Sequence, residues 1–166
     1  MKENCVFPYE QYKGNQFLIF LAGPIIGAPN WQQEAIRIIH QKAPEIIVAS
    51  PKHPDQKQTN FTLEQQSDWE SFHLEKASKN GSIMFWLARE IQHRCDRPYA
   101  QTSRFELGEW MTKQKDREKI FLTIGIEDGF TNSGYIKRRI SQNCPNVSFQ
   151  NNLEQTCNFA IDICKP

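Results

Sequence analysis

The sequence lacks long apolar runs, and that excludes a first class of protein. Stretches such as Phe17–Ala22 and Ile83–Leu87 are far short of the ~20 residues a bilayer-spanning helix needs. Charge of one sign is not in excess either: 20 Lys and Arg face 19 Asp and Glu, a formal net charge of +1. Nothing therefore argues for a nucleic-acid polymer or an anionic membrane as the main partner. The first residues, Met1–Cys5, lack the apolar centre of a signal peptide, so the chain reads as cytoplasmic. Cysteine pairing is missing as well. Five cysteines (Cys5, Cys95, Cys144, Cys157, Cys164) are an odd number with no C-x-x-C pair, which reads as reduced structural thiols rather than a disulfide framework. Cys95 near His93 offers at most two of the four ligands usual in a structural zinc site, and no H-E-x-x-H spacing occurs, so no metal is expected.

What is present alternates. Phe17–Ala22 is a continuous apolar run stopped by Gly23-Pro24, as in a central strand buried on both faces. Asn30 is placed to cap a helix from Trp31 to about Lys42. A short strand at Ile46–Ala49 ends at Ser50-Pro51, and a polar loop from Lys52 to Asn60 follows. Thr62 and Gln65 have the spacing of a capping box for a helix to Lys79, closed by Asn80-Gly81. Strands at Ser82–Leu87, Ile120–Ile124 and Val147–Phe149 then alternate with helices at Ser103–Lys115, Gly134–Asn143 and Leu153–Cys164. The pattern predicts an α/β fold: a doubly wound, five-stranded parallel sheet with helices on both faces. Residues 1–16 read as an N-terminal extension and residues 17–166 as one domain.

Glu106 is the most informative single residue. It follows a long polar loop, Ala88–Gln101, that leaves the third strand, and the pattern puts it in the first turn of the next helix. Open α/β sheets bind ligands at the carboxyl ends of their strands, and a helix N-terminus favours an ionised carboxylate. A fixed carboxylate of that kind can attack an electrophilic sugar carbon. The loop Ala22–Trp31 lacks G-x-G-x-x-G spacing and a G-K-[ST] sequence, so it is no dinucleotide or Walker loop. Its glycines still permit close approach of a ligand. In the second helix Gln66, Trp69, Glu70 and His73 recur at three and four residues and share a face. A pocket wall would suit both Trp69 and Glu70; Trp69 at the core rim with Glu70 in solvent is the competing account. Tyr135–Arg139 reads as a solvated helix face, although its three cations could meet a phosphate, and Lys113–Lys119 needs no function.

Taken in order, Ile19-Phe-Leu-Ala-Gly-Pro-Ile25, Trp31-Gln32, Ser50-Pro51-Lys52, Gln66-x-x-Trp69-Glu70, Phe85-Trp86-Leu87 and Phe105-Glu106-Leu107-Gly108 resemble the motifs of nucleoside 2-deoxyribosyltransferase-like proteins. The resemblance spans roughly residues 17 to 125. It implies a flavodoxin-like sheet, no cofactor, a small-molecule nucleoside or nucleotide and a free base as partners, and a homo-oligomer. It also implies a retaining double displacement with Glu106 as nucleophile and Glu70, or failing it Asp68, assisting proton transfer. Gly23, Pro24, Ile25, Trp31, Pro51, Lys52, Gln66, Trp69, Ser103 and Arg104 fall on its substrate-binding positions. Lys52 stands where related chains often carry Arg, and the loop Ala88–Gln101, with Arg89, Arg94 and Arg97, is long enough to act as a flap. Thr102-Ser103-Arg104 could hold a 5'-phosphate, as in deoxynucleoside-monophosphate N-glycosidases. That keeps a hydrolase open, with a TIR-type NAD-cleaving enzyme and a non-catalytic nucleotide sensor further off.

Overall fold

Side-chain alternation along the strands divides the molecule into two cores. In a computed structural model describing residues 4–54 and 62–165, Leu18, Phe20 and Ala22 of strand β2 (Leu18–Ala22) join one core, while Ile19 and Leu21 join the other. Strand β4 (Gly81–Leu87) repeats the division, with Ile83, Phe85 and Leu87 on one face and Met84 and Trp86 on the opposite one. Successive strand residues point to opposite faces, so a strand apolar at every position needs a cover on both sides. Helices α1 (Trp31–Lys42) and α5 (Leu153–Cys164) cover one face. Helices α2 (Leu63–Lys79), α3 (Gln101–Lys115) and α4 (Ser133–Asn143) cover the other.

The remaining strands are β1 (Cys5–Val6), β3 (Ile47–Ala49), β5 (Leu122–Ile126) and β6 (Phe149–Gln150). All pairings are parallel, in the order β1-β3-β2-β4-β5-β6. Without β1 this is the flavodoxin-like order, and the chain is a doubly wound α/β protein. The expected five strands become six. The addition is Cys5–Val6, which pairs with Val48 and Ala49 inside the segment read as an extension. Two residues cannot display a period, so the pattern missed it.

The N-terminal segment is tied down further along. Trp69 donates its indole N–H to the Glu10 carbonyl at 2.6 Å, and the Tyr12 amide donates to His73 Nε2 at 3.2 Å. An accepting Nε2 requires the neutral imidazole, with Nδ1–H donating to the Trp69 carbonyl at 2.8 Å. Burial accordingly pushes the His73 pKa down. The capping box of α2 is present in full, with Thr62 and Gln65 bonding each other's backbone amides. Asn30, by contrast, makes no side-chain cap and spends its amide on Gln33. Most of the polar loop expected from Lys52 to Asn60 lies outside the described residues. Among the described residues, no helix is long and apolar enough to cross a membrane.

Candidate active site

The chain leaves β2 toward β3 on one side and later crosses to β4 on the other, so the loops after β2 and β4 part above their carboxyl ends. Such a switch point leaves a crevice. Here it holds a cavity of about 470 Å³. Gly23, Pro24, Ile25 and Ile26 line it from the loop after β2, and Pro51 from the end of β3. Arg97 and Ala100 come from the loop after β4, and the inner faces of α2 and α3 complete the walls. Gly23 belongs to the floor for a steric reason. Its φ is 149°, and a Cβ there would meet the Trp86 carbonyl oxygen of the neighbouring strand.

Two carboxyls face this space from different helices. Glu70 of α2 and Glu106 of α3 both line the cavity and are both partly buried. Glu70 accepts a hydrogen bond from Gln66 Nε2 at 2.9 Å. Neither carboxyl belongs to an ion pair among the described residues. Burial pushes the Glu70 pKa up against the opposing effect of the Gln66 bond. Glu106 is raised to about 7, first by burial and then by the charges of Glu70 and Glu109. The origin of its chemistry therefore differs from the expectation. Helix α3 begins at Gln101, two residues earlier than the pattern placed it, so Glu106 is the sixth helical residue. The field of a helix terminus falls off within its first turn, and what governs this carboxyl is desolvation beside like charges.

The face expected to unite Gln66, Trp69, Glu70 and His73 is divided in the fold. Gln66 and Glu70 line the cavity, whereas Trp69 and His73 turn into the core and hold the N-terminal segment. Trp69 is thus not on the cavity wall. Asp68 is exposed and outside the lining, so it does not share the site with Glu106. Trp31 is buried, its indole donating to the Pro24 carbonyl at 2.8 Å, and it shapes the loop rather than the cavity surface. Lys52 is half-buried with its pKa lowered by burial, and it too lies outside the lining. Arg104 turns away altogether. It donates to the Thr131 carbonyl at 2.7 Å and stacks over the Phe130 ring at 4.5 Å.

The start of α3 supplies what Arg104 does not. Ala100 precedes the helix in the left-handed conformation, at φ 56°, and no side chain caps the first turn. The first-turn amides of a helix need partners from outside it. Here the residues carrying them, Gln101, Thr102 and Ser103, all line the cavity. Ser103 is only 6% exposed, and its hydroxyl makes no hydrogen bond to any described residue. Arg97 lines the same cavity. The loop carrying Arg97 is anchored at its base, where Ile91 and Gln92 donate their amides to the Gly27 carbonyl at 2.9 and 3.1 Å. Tyr99 closes the other end by donating to the Ala88 carbonyl at 2.7 Å.

Sequence reading missed Glu75, Glu109 and Lys113, which also line the cavity. Lys113 binds Glu109 at 2.9 Å and Glu75 at 3.0 Å and lies 3.8 Å from the Trp110 ring centroid. Glu109 and Lys113 follow Glu106 by three and seven residues, the spacing of one helix face, and that was the available signal. Three large apolar side chains stand at the cavity rim: Ile26, Leu63 and Phe105, exposed by 47%, 83% and 76%. The cavity thus combines a lining rich in carboxylates with an apolar rim. No protein-family model matches the chain, and no curated protein matches its sequence.

Proposed function

We propose that the protein cleaves the N-glycosidic bond of 2'-deoxynucleosides and transfers the deoxyribosyl group to a second base, as do the nucleoside 2-deoxyribosyltransferase-like proteins its motifs resemble. The observation that carries this reading is the meeting of Glu70 and Glu106, from two helices, in one cavity at the switch point of the sheet. Paired carboxyls with raised pKa values can divide acid and nucleophile roles at neutral pH. The pair titrates as a unit. The charge of Glu70 helps raise the Glu106 pKa to about 7, so the reactive form is the one in which the proton has passed to Glu70 and left Glu106 as the free nucleophile.

In the first step a Glu106 carboxylate oxygen attacks C1' of the sugar. The C1'–N bond breaks, its electron pair passes to the base nitrogen, and Glu70 supplies a proton or hydrogen bond to the departing base. The product is a deoxyribosyl ester of Glu106. In the second step the nitrogen of an incoming base attacks C1', Glu106 leaves as carboxylate, and Glu70 takes back the proton. The configuration at C1' is retained because it inverts twice.

One observation favours a second reading. The uncapped start of α3, the unpartnered Ser103 hydroxyl and the Arg97 guanidinium together suit a phosphate monoester. A 5'-monophosphate held there, with water as acceptor, would make the protein a deoxynucleotide N-glycosidase. Incubating the protein with deoxynucleosides, deoxynucleoside 5'-monophosphates and NAD, with and without a free acceptor base, separates the readings. Base exchange supports transfer and base release alone supports hydrolysis. Nicotinamide release would point to NAD cleavage, and no turnover of any substrate would leave a binding module.

A further inference from the structure

Six charged side chains line the cavity, and they do not contribute equally. Glu70 and Glu75 come from α2, Glu106, Glu109 and Lys113 from α3, and Arg97 from the loop after β4. Lys113 contacts one carboxylate on each helix, Glu75 and Glu109, and rests against the buried Trp110 ring. Its single positive charge is shared between these two carboxylates, Lys79 adds a second cation 3.9 Å from Glu75, and among the described residues Glu70 and Glu106 have no cation in contact. We propose that Lys113 is a positioning residue for the reaction proposed above: paired with Glu109 and bridging α2 to α3, it offsets part of the field that Glu109 exerts at Glu106 and so tunes when Glu106 becomes a nucleophile.

The argument is one of signs. Glu109 lies one helical turn beyond Glu106 and its charge holds the Glu106 proton on. Lys113 lies one turn beyond Glu109, and its positive charge opposes that influence. Removing the lysine charge exposes Glu109 and raises the Glu106 midpoint. Removing the Glu109 charge leaves the lysine unopposed and lowers it. A residue that merely held the two helices together would, once removed, let water reach Glu106 and lower its midpoint rather than raise it.

The inference rests on Glu106 being the nucleophile, but its test does not need turnover. The carboxyl carbon of Glu106, assigned by its loss in Glu106→Gln, is followed by NMR titration of the ¹³C-labelled protein. Lys113→Met should raise its midpoint above that of the wild type and Glu109→Gln should lower it, while Lys113→Arg, which keeps the charge, should stay near the wild type. Where turnover is seen, each half-unit rise costs about threefold in rate on the acid limb of the profile. A midpoint that is unmoved, or that moves the same way in both variants, overturns the role of Lys113. Should Lys113→Met not fold, Lys113→Gln takes its place, and a Glu106 midpoint no higher than that of the wild type overturns the role. A protein that shows these shifts yet acts on no nucleoside or nucleotide would instead sink the proposed function.

Discussion

Glu70 and Glu106 reach one cavity from different helices, and the charge of Glu70 helps hold the Glu106 proton in place up to about pH 7. Two carboxyls so placed resist simultaneous ionisation, and their titrations are coupled. Under the proposed function the two would divide the roles of acid and nucleophile, with no histidine among the described residues of the cavity lining.

Glu106→Gln keeps the size of the side chain and removes its attacking charge. Base exchange or base release should fall at least about a thousandfold, with the circular dichroism spectrum unchanged. Mass spectrometry of wild-type protein quenched during turnover should find a deoxyribosyl adduct on the peptide containing Glu106. Activity within tenfold of wild type in the variant would exclude the covalent route.

The same substitution should stabilise the fold in a defined pH window. The Glu106 pKa is raised from an ordinary value of 4.5 to about 7 in the native state. Its contribution thus favours the fold below pH 4.5 and is lost as pH rises through about 7. At pH 8 Glu106→Gln should be more stable than wild type by on the order of 1–2 kcal/mol, allowing for the part-exposed position. Thermal melts at pH 8 and pH 4 read this directly, and the advantage should vanish at the lower pH.

Arg97→Ala distinguishes the two substrates. If a 5'-phosphate sits at the start of α3, the variant should raise KM for nucleotides about tenfold or more and lose most of the salt dependence of that KM. KM for nucleosides should stay within about twofold. Equal effects on both would mean that Arg97 acts on the shape of the loop and not on a phosphate.

Gly23→Ala tests the floor. An added Cβ collides with the Trp86 carbonyl in a backbone conformation L-residues rarely adopt, so a loss of roughly 1–3 kcal/mol is expected. Chemical denaturation measures it. A variant as stable as wild type would show that β2 and β4 have freedom to part at this point.

Much of this architecture was legible because burial on both faces leaves a plain signature. The strands β2 and β4 are apolar at nearly every position, and the capping box and Asn80-Gly81 punctuate α2. That Glu106 reaches the crevice was legible because its helix follows the loop after β4, although the residue lies in the second turn of that helix and not at the junction itself. The charges around it were harder to read. A helix face shows which residues share a side but not whether that side meets solvent, core or cavity, so Trp69 and Glu70 looked alike until packing separated them. On spacing Arg104 reads as the phosphate ligand, and Arg97 only as one arginine of the possible flap. The aromatic ring of Phe130 and the Thr131 carbonyl, distant in sequence, decide that Arg104 turns away. Lys113 looked like part of a solvated charge run because its partner Glu75 lies 38 residues earlier.

The tie between Glu10, Tyr12 and the second helix has a consequence for anyone handling this protein. Glu70 is adjacent in sequence to Trp69, whose indole is fastened to the Glu10 carbonyl, and three residues before His73, which receives the Tyr12 amide. An expression variant trimmed at the apparent domain border, residue 17, would discard an edge strand and both anchors, leaving a buried indole N–H and imidazole nitrogen with no bond to make. The strands binding the crevice would survive such trimming on paper, yet the wall carrying Glu70 would have lost its mooring.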